Sequence, residues 1–183
     1  MRTDNEIMAV LIRVIREGLI AWGIDAVVQQ SYQPTEQGAP TKATVLLHSI
    51  DSKRYGFPED VSYFDEIESE MIKRESYWLE RTYQVDALAI QNPAESAADL
   101  TVLTAFDYVD RVAALMQTGT VIEKLRAESI GILRVQPLRI GYVVDDKDRN
   151  EQVPSFDFTI TYQQIILSTA DIVTDITAEI YEV

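Results

Sequence analysis

Apolar residues recur three and four positions apart at the start of the chain. Ile7, Met8, Leu11, Val14, Ile15, Leu19 and Trp22 fall on one stripe, with Arg13, Arg16 and Glu17 off it. That period predicts an amphipathic helix. Thr3, three residues before Glu6, supplies a capping box at its start, and Gly23 a C′ residue at its end. Gly18, inside the stripe, weakens such a helix by about 1 kcal/mol relative to Ala. From Ile24 to Tyr32 the chain turns to β-branched residues and reads as a strand. Pro34 to Thr41, with Gly38 and Pro40, reads as a turn, and Ala43 to Ile50 as a second strand. So short a connection predicts an antiparallel pair, because a parallel crossover ordinarily carries a helix.

Asp51 to Glu75 breaks the pattern. It mixes Tyr55, Gly56, Phe57, Pro58, Tyr63 and Phe64 with eight acids against four bases, and reads as a long acidic loop at about 51–75. Alternation resumes from Tyr77 to Ile90: Tyr77, Leu79, Tyr83, Val85, Ala87 and Ala89 make one face, opposite Glu80, Thr82, Gln84 and Asp86. Ser96 and Asp99 then offer a second capping box, opening a helix from Ala97 to Gln117 with Val102, Leu103, Phe106, Val109, Ala113 and Met116 as its buried stripe. Gly119 interrupts it, and Thr120 with Glu123 caps a shorter helix over Val121–Ala127.

The last third is β-rich. Ile130 to Val144 is apolar with an interruption at Pro137, which predicts an edge strand or bulge there. Asp145 to Gln152 reads as a polar loop. Phe156, Phe158, Ile160 and Tyr162 alternate with polar residues, Ser168-Thr169 offers a turn, and Ile172 to Ile180 alternates again. Without a repeat or linker, the pattern predicts one α+β domain over 1–183. It would be a mainly antiparallel β-sheet with an N-terminal helix and a long central helix packed on one face.

Charge changes this picture most. Sixteen Lys and Arg against 30 Asp and Glu give a formal net charge of -14, a surface that repels phosphate and disfavours gripping nucleic acid. An apolar fraction of 46% fits a packed globular chain. The absence of cysteine removes disulfides, thiolate nucleophiles and cysteine-based metal sites. The polar start, Met1 to Glu6, lacks the features of a signal peptide, and no apolar run is long enough to span a bilayer. A soluble protein acting in the compartment where it is made is the expectation.

Candidate chemistry is sparse. His48, the one histidine, sits in the apolar run Val45-Leu46-Leu47-His48-Ser49 and reads as a strand or interface residue. Asp146, Asp148 and Asn150 match the first positions of a calcium loop, but Glu151 stands where the turn-making glycine belongs. The acids of 65–70 resemble a solvated face more than a pair of catalytic carboxylates. No P-loop, dinucleotide fingerprint or HExxH motif occurs, so neither an enzyme nor a cofactor is expected. Long strands leave edges that need covering, and Trp78, Leu88, Ile90, Ile165 and Leu167 lie opposite the presumed core set. A row of exposed apolar residues points to burial against another protein. The interface residues expected in the loop are Tyr55, Phe57, Tyr63, Phe64, Asp65, Glu66, Glu68 and Glu70.

The order of elements then becomes informative: helix, β-hairpin, variable loop and the strand Thr82-Tyr83-Gln84-Val85-Asp86-Ala87-Leu88. The helix Ser96 to Met116, Pro137-Leu138-Arg139 and Ser155-Phe156-Asp157-Phe158-Thr159-Ile160-Thr161-Tyr162 follow. This layout resembles the bacteriophage tail terminator (neck or tail completion) proteins. The resemblance implies a structural virion protein, made in the host cytoplasm, forming a homohexameric ring at the head-proximal end of the tail tube. Its implied partners are further copies of itself, the tail tube protein, the neck or connector protein and, in contractile tails, the sheath protein. DNA would pass through the lumen without specific binding, and the acidity would help it slide. Three other readings fit the composition: another neck or tail ring component, an acidic DNA-mimic inhibitor, and a small hydrolase.

Overall fold

The computed structural model describes residues 3–31, 42–65, 70–89, 102–144 and 150–170. Helix α1 (Asp4–Ala21) starts at Thr3, whose hydroxyl accepts the Glu6 amide at 3.2 Å while the Glu6 carboxylate takes the Thr3 amide at 2.6 Å. Its buried stripe is Ile7, Met8, Leu11, Val14, Ile15 and Leu19, each worth about 1.5–3 kcal/mol of burial. Trp22 is the C-cap and is exposed rather than part of that stripe, and Gly23 (φ +73°) turns the chain off the helix.

Among the described residues, six strands form one mixed sheet: β1 (Val27–Gln30), β2 (Thr44–Asp65), β3 (Glu70–Leu88), β4 (Ile130–Val135), β5 (Arg139–Val144) and β6 (Asn150–Ala170). Their order is β1-β2-β3-β6-β4, with β5 also paired to β6. All pairs are antiparallel except one: β1 runs parallel to β2, with Val27 opposite Thr44 and Gln30 opposite Leu47. That corrects the expected antiparallel hairpin. The strands end and begin further apart than their composition suggested, leaving thirteen residues (31–43) between them. Thirteen residues can reach back over a four-residue strand, which is only about 13 Å long, without a crossover helix.

Among the described residues, three helices lie against one face of the sheet. The long central helix is corrected to α2 (Ala105–Met116), 12 residues; Ser96 and Asp99 lie outside the described residues. The working capping box is Thr104 with Asp107: the Asp107 carboxylate accepts the Thr104 amide at 2.7 Å, and the Thr104 hydroxyl accepts the Asp107 amide at 3.2 Å. Leu103 therefore precedes the helix and is half-buried, while Val102 and Phe106 are exposed. Helix α3 (Gly119–Ala127) is capped by Thr118 rather than Thr120. Gly18 of α1 faces α2, and a Cβ there would stand 2.5 Å from a Leu115 methyl. The glycine permits the close approach of the two helices.

Odd-numbered residues of β3 face the helices. Leu79, Tyr83, Val85 and Ala87 are buried there, in line with Phe156, Phe158, Ile160 and Tyr162 of β6. Tyr83 stacks on Phe158 with centroids 5.6 Å apart. Its hydroxyl reaches Asp4 at 3.4 Å, and Arg81 pairs with the same carboxylate, which fastens the start of α1 to the sheet. Pro137, where an edge strand or bulge was expected, instead lies in the gap that separates β4 from β5. Residues 150–152 and Ser168-Thr169 belong to β6 rather than to a loop and a turn. The alternating segment after Ala170 lies outside the described residues.

Candidate interaction surface

The segment expected as an acidic loop is mostly strand. Residues 51–65 of β2 and 70–82 of β3 pair from Asp51–Thr82 to Asp65–Glu70, and Ile165–Ala170 of β6 adds a third strand. Together they form an arm that carries the sheet past the region where the helices cover it. Ile50 is a single-residue bulge between the Ser49–Tyr83 and Asp51–Thr82 pairs, so the phase of β2 flips there. Even-numbered residues before it and odd-numbered residues after it share the outer face, away from the helices.

A second bulge sets Gly56, Phe57 and Pro58 opposite Tyr77 alone. Gly56 has φ +64°, a left-handed conformation that glycine adopts without a steric cost. The result is Phe57 standing 98% exposed above a shallow hollow of about 570 Å³, walled by Tyr55, Trp78, Glu80 and Thr161. Beyond the bulge the outer face continues as cross-strand rows: Glu59–Ser76–Ile165, Val61–Arg74–Leu167 and Tyr63–Ile72–Thr169. Tyr55, Val61, Tyr63, Trp78 and Leu167 are all exposed on it. Tyr55 lies against Glu80, and that hydrogen bond, with burial and the carboxylate charge behind it, raises the phenol pKa.

The helix side of the arm has a different character. Lys73 bridges Glu75 at 2.7 Å and Asp60 at 3.1 Å, and its pKa is raised chiefly by the hydrogen bond to Glu75. The same bond lowers Glu75, with the Tyr77 hydroxyl assisting at 3.0 Å. Arg54 sits over the Tyr77 ring at 5.6 Å. Phe64 is exposed on this side, away from Tyr55 and Tyr63.

The structure therefore brings Tyr55, Phe57 and Tyr63 onto one surface and separates Phe64 from them. Asp65 and Glu70 face each other at the tip, and Glu66 and Glu68 lie outside the described residues. Sequence reasoning missed Val61 and Arg74, which belong to the same face.

Nearer the domain the outer face becomes polar. His48 sets Nε2 3.1 Å from the Gln84 carboxamide oxygen and Nδ1 3.5 Å from Asp86, and Gln84 donates to Asp86 at 3.1 Å. Burial raises the Asp86 pKa against the opposing pull of His48. Arg139 pairs with the buried Asp157, and Thr82 bonds Thr159 at 3.0 Å. These contacts link a half-buried polar row across β2, β3, β6 and β5, in which His48 is a strand residue whose Nδ1 has no hydrogen-bond partner among the described residues. Among the described residues no group of three or more His, Asp or Glu side chains is placed to hold a metal, and no helix is long and apolar enough to cross a membrane. Asp146 and Asp148 lie outside them.

The model of one protein family, the E217 gateway protein gp29, matches residues 6–172. The chain belongs to this phage gateway-protein family. The match takes in α1, the whole sheet and the arm, and it bears out the resemblance to the phage tail terminator family. Among solved structures, the sheath/tube terminator of an extracellular contractile injection system, PVC, in its extended state, is similar at 12% identity with a TM-score of 0.49. The similarity covers 100% of this chain and 65% of that one, so the chain spans less than two thirds of its length. No curated protein matches the gateway-family chain by sequence.

Proposed function

We propose that this gateway-family protein is a non-enzymatic structural component of the phage tail that closes the head-proximal end of the tail tube. The observation that carries the proposal is the family match, which runs through nearly the whole chain rather than one segment of it. Several features support a role in assembly. A sheet arm with an aromatic outer face offers surface to other subunits, and its tip pairs Asp65 with Glu70, as a charged rim that excludes wrong partners would. In the proposed assembly, six copies make a ring that stops tube growth and joins the tail to the neck connector, with the sheath as a further neighbour where the tail contracts. A net charge of -14 suits a lumen through which DNA slides without being held.

The position in the particle tests this. Carrying a small epitope tag on the chain and labelling purified particles with gold-conjugated antibody should give label at one end of each tail, next to the head. Label spaced along the tube, or confined to the capsid, contradicts the proposal.

A further inference from the structure

The outer face of the arm has the make-up of a binding hot spot. Phe57 (98% exposed), Leu167 (60%) and Trp78 (56%), with Tyr55, Tyr63 and Val61, put six exposed large apolar side chains on neighbouring rows of one face, broken by the Glu59–Ser76 pair. Large apolar side chains gathered on one face in this way, rather than scattered singly, mark an interaction site. Its residue types, Trp, Tyr and Arg around aliphatic filler, are those that dominate binding energy in buried contacts.

Arg74 identifies the occupant. It stands between Val61 and Leu167 in the middle of the apolar rows, exposed, and forms no ion pair among the described residues. A guanidinium at the centre of an interface calls for a carboxylate from the other side. A second copy of this chain supplies one readily, since its acids outnumber its bases 30 to 16. On the face itself Glu80 lies beside Tyr55, Glu59 sits between the Tyr55–Trp78 and Val61–Arg74–Leu167 rows with its carboxylate accepting from Ser76, and Asp65 and Glu70 lie at the tip. Those acids also speak against a nucleic acid or an anionic membrane as the occupant.

We infer that the outer face of the arm is the surface through which one copy of this chain binds a second copy, with Arg74 taking a carboxylate of the neighbour. The inference deepens the proposed ring and rests on that reading only for its place in the tail. Phe57, lifted by its bulge, would enter the neighbour as the projecting anchor, and the rigid sheet behind it would hold the aromatic rings in place.

Sedimentation analysis of the full chain from about 1 to 100 μM tests this, in a range where contacts of this kind associate. The average mass should climb above the 20.7 kDa of one chain. Trp78→Ala and Arg74→Glu should each weaken association about thirtyfold, Arg74→Lys much less, and Phe57→Ser should match the first two. Phe64→Ser, on the opposite side of the same arm, should change it less than about threefold. All these side chains are exposed or half-exposed, so thermal midpoints should stay at the wild-type value, and Phe57→Ser provides a variant at a position with almost no contacts to lose. A chain that stays monomeric throughout the range overturns the inference. So does association that the outer-face variants leave intact, or that Phe64→Ser weakens equally. Failure here is separable from failure of the tail proposal: a monomer that still labels tail ends removes only the inference, and a self-associating chain absent from tail ends removes only the tail assignment.

Discussion

Gly18 shows how one residue carries opposed effects. In isolation it costs α1 about 1 kcal/mol relative to alanine. In the folded chain, a Cβ at that position would come within 2.5–2.9 Å of three Leu115 side-chain atoms, one of them the branch carbon Cγ. Leu115 is itself buried against the core and has little room to withdraw. Overpacking of this kind costs about 1–3 kcal/mol, which exceeds the helix gain. Gly18→Ala is therefore expected to lower stability by about 1 kcal/mol net, measured as a shift in the urea midpoint at constant slope. A stabilised variant would mean that the α1–α2 contact is looser than the structure shows. The sequence exposes only half of this balance, because the glycine's neighbour lies about a hundred positions away in α2.

At the scale of elements, local signals were legible where both ends of a contact lie close in sequence. The Thr3–Glu6 capping box, the α1 stripe from Ile7 to Leu19 and the odd-numbered core face of β3 at Leu79, Tyr83, Val85 and Ala87 are all local patterns, and these stand as expected. Partners distant in sequence were harder to read. The parallel pairing of β1 with β2 depends on where two strands stop, which composition marks only loosely. The arm was hidden for a clearer reason. Tyr55, Phe57, Val61 and Tyr63 do alternate at odd positions, but Gly56, Pro58 and the acids between them look like loop residues. The bulges absorb the glycine and proline, and β6 supplies the third strand that lets so polar a ribbon persist.

The arm also makes a prediction about independence. Its outer residues add almost nothing to the core, since residues 49–64 are all exposed. Asp60 and Glu75 are directly paired, so Val61–Arg74 can be replaced by Asn-Gly, a two-residue hairpin turn. The shortened chain should keep its circular dichroism and lose less than about 1 kcal/mol of stability, while losing self-association. Loss of folding would instead make the arm part of the core.

For the whole molecule, charge and architecture act together. A chain at net charge -14 repels its own copies at long range, so it needs concentrated apolar contact to assemble, and the arm concentrates that contact on one face. The resemblance to the phage tail terminator family was read from the order of elements and is borne out by the family match over residues 6–172, even though the hairpin, the loop after it and the start of the second helix in that layout were corrected. The central claim is that this protein ends the tail tube. Its most direct test is the length distribution of tails made in cells that lack the chain but express every other particle component. The account predicts tubes of uncontrolled length, unattached to heads, restored to one length by supplying the wild-type chain. Tails of normal, uniform length joined to heads in its absence would contradict it.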